Sequence, residues 1–294
     1  MNNKNQMVKH YLTFKEKLII AYVCIERKIL LSLRFKISAL FSWIGMFVSL
    51  ATFFFLGKLI QPGVTVYISQ YGSGAYFPYV LLGMAFGTLS GLALTLYLNV
   101  ISSTYWSNWL EMIFSSPMGF RTYMGITMVW VYFTSALTII IYFLVGIFIF
   151  GAELTLPSTW WLAIIVLALA ILAISGFGLI SASMFLLADV KGGVEPISWA
   201  VATCAGILSG VVFPPEIFLD TAPALYYISR LLPHTYALDA FRRIMLNDEG
   251  LSPIVTSEIL KLIAFIVVLL PLGAYMFKKG LEKAERTGKL ARWG

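Results

Sequence analysis

The chain has 294 residues, 60% of them hydrophobic and only 12% charged, with a net charge of +7 and a mean hydropathy of +0.86. Soluble chains carry about twice that share of charge, so a soluble globular protein, whose surface these charges could not cover, is excluded. The positive charge gathers at the two chain ends beside apolar segments, as anionic inner-leaflet lipids favour. With no basic groove or aromatic-basic motif, nucleic-acid binding is not expected.

Charges persist through Lys36, so no cleavable signal peptide is expected. Within the segment 1–36, residues 12–35 read as an amphipathic helix lying on the inner membrane surface. Leu18, Ile19, Tyr22, Val23, Ile25, Ile29, Leu30 and Leu33 form its apolar side, and Lys15, Glu16, Lys17, Glu26, Arg27, Lys28 and Arg34 its charged side. Cys24 lies in this segment and Cys204 in an apolar run; both read as packing residues, without disulfide or metal spacing.

Six apolar stretches reach the about 17–25 residues that a spanning helix needs: 37–60, 78–102, 124–150, 160–188, 197–213 and 259–277. The fifth is at the short end, and Lys261 lies near the start of the sixth. Each is apolar all round, unlike a one-sided soluble helix. The expected fold is an all-α integral membrane protein whose transmembrane domain covers 37–277, followed by a basic tail, 278–294. Of the 21 Lys and Arg, sixteen fall in 1–36, 103–123, 189–196 and 278–294. By the positive-inside bias both termini and those two loops are predicted to be cytoplasmic.

Two connections are unusual. The inner one, Ser103–Tyr123, holds Trp106, Trp109, Leu110, Met112, Ile113 and Phe114 and reads as a short amphipathic helix ended by Pro117. The outer one, 214–257, is long yet still apolar. It reads as short helices dipping into the outer leaflet, which is tolerated where protein or water satisfies the backbone.

Chemistry-bearing patterns are sparse. There is no GxxxxGK[ST] phosphate loop. His10 and His234 fall on opposite sides, so no histidine metal site is expected, and His234 reads as a helix-start or interface residue. Carboxylates are nearly absent from span interiors, which weakens an ion-coupled carrier and an intramembrane hydrolase alike. No catalytic residue is expected. Gly83, Gly87 and Gly91, and Gly206 with Gly210, recur at four-residue spacing. They read as helix packing within the subunit or as a subunit interface. Asp239 and Arg242 stand at i, i+3 and could pair to pin the outer helices. Asp189, Lys191, Gly192 and Gly193 read as a cytoplasmic turn. Tyr97, Tyr105, Trp106, Trp130, Tyr132 and Tyr142 read as interfacial anchors, with some available to a substrate path.

The stretch Trp109-Leu110-Glu111-Met112-Ile113-Phe114-Ser115-Ser116-Pro117 resembles the element between the second and third spans of type-2 ABC exporter permeases. Leu110, Glu111, Ser116 and Pro117 match; Asn108-Trp109 replace the usual Gly-Thr, and Tyr105 and Trp106 the usual upstream acidic residues. A second match runs in order through Gly210, Phe213-Pro214, Pro223, Leu232-Pro233, Thr235-Tyr236, Asp239 and Arg242. The resemblance extends, in topology, to essentially the whole chain. It implies a transport subunit without an ATPase site of its own, working as a homodimer with a separate ABC ATPase subunit that holds ATP and Mg. Trp109, Leu110, Glu111, Met112, Ser116 and Pro117 would then form a coupling helix on that ATPase. Pro214, Pro233, Tyr236, Asp239 and Arg242 would belong to external re-entrant helices before the last span. The implied setting is the inner membrane of a prokaryote. The implied activity is outward movement of a hydrophobic or amphipathic cargo (drug, antibiotic or lipid), or of a lipid-linked polysaccharide, by alternating access. An ATP-independent carrier or channel is the rival class.

Overall fold

The computed structural model describes residues 14–71, 75–107, 109, 112–113, 116, 118–187 and 196–287. Every long element among them is a helix, as apolar segments require when no water is available to the backbone. In chain order these are α1 (Phe14–Arg34), α2 (Lys36–Ile68), α3 (Tyr76–Trp106), α4 (Gly119–Phe148), α5 (Trp160–Leu187), α6 (Pro196–Leu208), α7 (Ile217–Thr221), α8 (Pro223–Ser229), α9 (Pro233–Asn247) and α10 (Pro253–Arg286).

The amphipathic segment expected at 12–35 is α1, and its Ile19, Tyr22, Val23 and Leu30 are exposed. Five of the six expected spans lie in helices long and apolar enough to cross a membrane: α2 over Lys36–Ile60, α3, α4, α5 and α10. The stretch 197–213 differs. It is helical only over Pro196–Leu208, 13 residues or about 20 Å, short of a hydrocarbon core of about 30 Å. Gly210 turns the chain with φ +94°, and Pro214 and Pro215 then supply no amide hydrogen with which a helix could resume.

Several ends also move. α2 continues eight residues beyond position 60, to Ile68, and α4 begins at Gly119 rather than 124. α10 begins at Pro253, not 259, because Ser252 caps it: the Ser252 hydroxyl accepts from the Val255 amide at 3.2 Å. It then runs 34 residues to Arg286, so the first part of the basic segment 278–294 is helix rather than tail. Lys283 Nζ donates to the Leu187 carbonyl (3.0 Å) at the inner end of α5, the end that the charge bias predicts to be cytoplasmic; the opposite end is the outer one.

Helices α3 and α5 form the centre. Of their most apolar stretches 61% and 56% of residues are buried, against 6% for α2, 6% for α4 and 11% for α10. The outer three therefore present apolar faces to lipid or to another subunit. Backbones approach closely where glycines meet. A Cβ on Gly176 would lie 2.7 Å from the Leu269 carbonyl carbon, one on Gly273 2.6 Å from the Gly176 oxygen, and one on Gly178 2.6 Å from the Ala93 oxygen. These positions fix the α5–α10 and α5–α3 crossings. Phe86, Leu94, Ile174, Ala240, Phe241 and Leu262 join α3, α5, α9 and α10 in one core.

At the outer end, Asp248 closes α9 in the left-handed conformation (φ 51°). Its carboxylate accepts from Ser158 Oγ (2.8 Å), Thr159 Oγ1 (2.8 Å) and the Thr159 amide (3.1 Å), tying two loops together. The hydrogen bond from Ser158, followed by those from Thr159, holds this carboxyl at about 2, below its ordinary 3.8. A carboxyl depressed by folding contributes stability above its unfolded pKa and loses it as pH falls through the folded one. The tie is therefore complete above about pH 4 and lost towards pH 2. Asparagine tolerates the left-handed conformation but cannot hold the charge. The melting-temperature gap between wild type and Asp248→Asn is expected to close as the pH falls from 5 to 2, followed by thermal unfolding in detergent.

Candidate functional site

Two regions gather the candidate residues, one at each end of the bundle. At the inner end the Trp109 amide donates to the Thr104 carbonyl (2.9 Å), and the Ile113 amide to the Trp109 carbonyl (2.9 Å), a single helical turn. Ser116 Oγ donates to the Ile113 carbonyl (2.9 Å) and the Gly119 amide to the Ser116 carbonyl (3.2 Å). Gly119, at φ +70°, then swings the chain into α4. Ile113 is the foot of this element, buried among Leu96, Val100, Phe120 and Ala182. Trp109 and Met112 are exposed. The Arg27 guanidinium lies 4.8 Å from the Trp109 ring centroid, so α1 grips the same turn. Leu110, Glu111 and Pro117 lie outside the described residues, as do Asp189, Lys191, Gly192 and Gly193.

At the outer end the chain folds back on itself. After α6 breaks, α7 leads to Asp220, which accepts from Tyr67 Oη near the end of α2 (2.9 Å). α8 returns, and α9 runs outward again. The first turn of α9 holds His234, edge-on to the Phe86 ring with centroids 6.4 Å apart. Phe86 is ten residues along α3 from Tyr76, about 15 Å in from that helix's end. The other end of α9 reaches the surface, where Asn247 Nδ2 donates to the Gln70 carbonyl (2.9 Å). His234 is buried, and its Nδ1 has no partner among the described residues. Pro214 opens the turn into α7, its carbonyl accepting from the Ile217 amide (3.2 Å). Pro233 occupies the first turn of α9, and Tyr236 Oη donates to the Arg230 carbonyl (2.6 Å).

The expected pairing of Asp239 with Arg242 does not form. Asp239 instead accepts from Arg243 Nε, one turn further along α9 (3.1 Å), and from Tyr71 Oη. Arg242 is 1% exposed and turned inward. Its Nη1 donates to the Gly210 carbonyl (2.6 Å), its Nη2 to those of Val211 and Tyr79 (both 3.0 Å), and its Nε to Tyr79 (3.2 Å). Its guanidinium carbon lies 3.4 Å from the Tyr79 ring centroid, and Tyr79 Oη also donates to the Gly210 carbonyl (3.0 Å). The cause is the break after α6, which leaves carbonyls without their intrahelical donors. A planar fork of N–H groups is suited to satisfying several carbonyls at once. Carbonyls at a helix C-terminus also carry partial negative charge, which favours a cation there.

The glycine pattern divides accordingly. A Cβ on Gly83 would fall 2.2 Å from the Val211 oxygen and 2.6 Å from Arg242 Nη2, so Gly83 leaves the space that the buried guanidinium occupies. Gly87 would be in ordinary contact with Val211, at 3.9 Å, and Gly210 sits against Pro215. Gly91 and Gly206 face nothing within 4 Å among the described residues.

A cavity of about 260 Å³ opens beside Arg242, lined among others by Tyr71, Glu216, Arg230, Asp239, Arg243 and Glu258. Sequence reasoning missed Glu258. It lies in the second turn of α10, is 5% exposed, and accepts from Lys261 Nζ at 2.7 Å. The i, i+3 spacing of the two was the available signal.

The chain matches the family described as ABC-2 family transporter protein over residues 101–275, more than half its length. Comparison with curated proteins gives no match. The matched region takes in the inner turn, the α5–α10 crossing, the broken α6 and most of the outer cavity's lining. With its spanning-length helices, the chain belongs to the ABC-2 transporter family and is a multi-pass membrane permease of an ABC transporter.

Proposed function

We propose that the chain is the transmembrane subunit of an outward-pumping ABC transporter, energised by a separate ATPase subunit that docks on the turn around Trp109–Pro117. The observation that carries this reading is the inner turn itself. Its foot, Ile113, is fixed among α3, α4 and α5, while Trp109 and Met112 stay exposed. A surface held rigidly to three helices passes a push from outside to the bundle. ATP and Mg belong to the partner, and this chain supplies no catalytic group.

In this reading α6, the bend at 209–213 and the helices α7–α9 together make a sixth, broken pass. Its non-helical backbone is satisfied by protein, as membrane depth requires. Segment 214–257 is then re-entrant from the outer side, 1–36 and 278–294 are cytoplasmic, and the protein sits in the inner membrane of a prokaryote. Two copies form the permease. Gly91 and Gly206, which meet nothing within 4 Å among the described residues, fall where a second copy can approach. The cargo is hydrophobic or amphipathic, matching the apolar faces of α2, α4 and α10, and moves by alternating access.

Co-expression with its ATPase subunit tests this. The two are expected to co-purify, and Glu111→Lys is expected to lower permease-dependent ATPase activity and export at least tenfold while the permease still folds. Full activity in that variant, or export without any ATPase, would overturn the reading in favour of an ATP-independent carrier.

A further inference from the structure

The outer cavity is lined by three arginines and three carboxylates, yet its unpartnered atoms are all of one kind. Arg242 is spent on backbone carbonyls. Arg243 is spent on Asp239, Glu249 and Gln70. Arg230 lies over the Tyr226 ring (4.8 Å) and donates to its hydroxyl (2.8 Å). Glu216 Oε2 and Glu258 Oε2, by contrast, are buried without a partner among the described residues. Their other oxygens face Arg230 (3.7 Å) and Lys261 (2.7 Å). Acceptors are thus in surplus on the wall, and a buried carboxylate oxygen without a donor is costly.

The protein already shows what Glu258 accepts. The Lys261 ammonium sits on Glu258 and 5.0 Å from the Tyr236 ring centroid, the combination of carboxylate and aromatic face that binds alkylammonium ions. At about 260 Å³ the cavity is smaller than the roughly 300–1,000 Å³ of pockets for whole drug-sized ligands, so it holds a head group only. Ile254, also on its lining, is 47% exposed and offers an apolar exit for a tail.

We propose that this outer cavity binds the ammonium head group of an amphipathic cation between Glu216 and Glu258. The proposal deepens the export reading, on which it rests for the direction of travel, by giving the cargo a positively charged end. The same chemistry is carried by a diffusible amine and by the head group of phosphatidylethanolamine.

Purified full-length permease in maltoside micelles, without the ATPase, is titrated calorimetrically with hexylammonium, hexanol and hexyl sulfate. The cation is expected to bind at least tenfold more tightly than the other two. Glu258→Gln and Glu216→Gln are each expected to weaken it at least fivefold. Lys261→Gln, which removes the internal competitor, is expected to strengthen it, an effect that a purely structural role for Glu258 does not produce. Competition by phosphatidylethanolamine but not by phosphatidylglycerol in the micelles assigns the site to lipid; no competition assigns it to a diffusible amine. Preference for hexyl sulfate or hexanol, or unchanged affinity in the variants, overturns the proposal. If Glu258→Gln is not monodisperse on gel filtration, Glu216→Gln and Lys261→Gln decide. Because no ATPase is present, failure here leaves ATPase docking untouched, and failure of docking leaves this binding measurable.

Discussion

Replacing Arg242 with alanine is expected to destabilise the outer half of the permease by roughly 3–5 kcal/mol, a large part of the about 5–15 kcal/mol that holds a typical domain folded. The guanidinium serves the carbonyls of Tyr79, Gly210 and Val211 from a buried position. Alanine leaves the Val211 oxygen without this donor, at about 1–3 kcal/mol, and the Gly210 oxygen with only its bond from Tyr79 Oη; the rest comes from the lost charge-assisted bonds to Gly210 and Tyr79 and the cavity left by the buried side chain. Arg242→Lys is expected to fall between the two, since a single ammonium cannot fork to three acceptors. Thermal unfolding in detergent, followed by gel filtration of what remains folded, reads the difference. A drop of about 10 °C is expected for alanine. A melting temperature within about 2 °C of wild type would show that the broken end of α6 does not depend on this side chain.

The second large effect is expected at the α5–α10 crossing. Gly176→Val or Gly273→Val places carbon against backbone at separations that no side-chain rotation can relieve. Overpacking of this kind costs about 1–3 kcal/mol, and more where the obstacle is main chain. Valine is the better test than alanine, because alanine returns about 1 kcal/mol of helix propensity and blurs the result. Gly91→Val and Gly206→Val serve as the contrast. With nothing within 4 Å of either Cβ, both are expected to leave the monomer's melting temperature unchanged and to weaken dimerisation. Cross-linking across the dimer with parallel unfolding curves checks both arms. Equal stability of all four variants would mean that the crossing is looser than these distances imply.

How far these features could be read from the chain depends on the range over which each is determined. The long spans were legible because hydropathy is local and lipid leaves the backbone only one arrangement. The break within 197–213 was not, since hydropathy runs on unchanged through Val211 and Val212 while the turn depends on Gly210 and on Arg242, a distant residue. For the same reason Asp239 and Arg242 were misread as a local pair: their true partners include Tyr71 in one case and Tyr79 in the other. Regular spacing drew attention to Gly91 and Gly206, whereas Gly176 and Gly273 touch across two helices with no pattern linking them in sequence. At the inner site, a family-like string marked 109–117, and the fold added what a string cannot show: that Ile113 is anchored and that Arg27 reaches across from α1.

Helix α10 also has a mechanical reading. It runs as one helix from Pro253 beside the outer cavity to Arg286 at the inner end, with Pro271 in its interior as the natural bending point, and it meets α5 closely just beyond that proline, at Gly273. That point divides it into arms of about 30 Å outward and about 20 Å inward. To the extent that the helix stays stiff through Pro271, rocking on this fulcrum returns an inner displacement at the outer end, reversed in direction and enlarged by at most roughly half. The wall carrying Glu258 would then retreat from Glu216, or close on it, in step with events on the opposite side of the membrane.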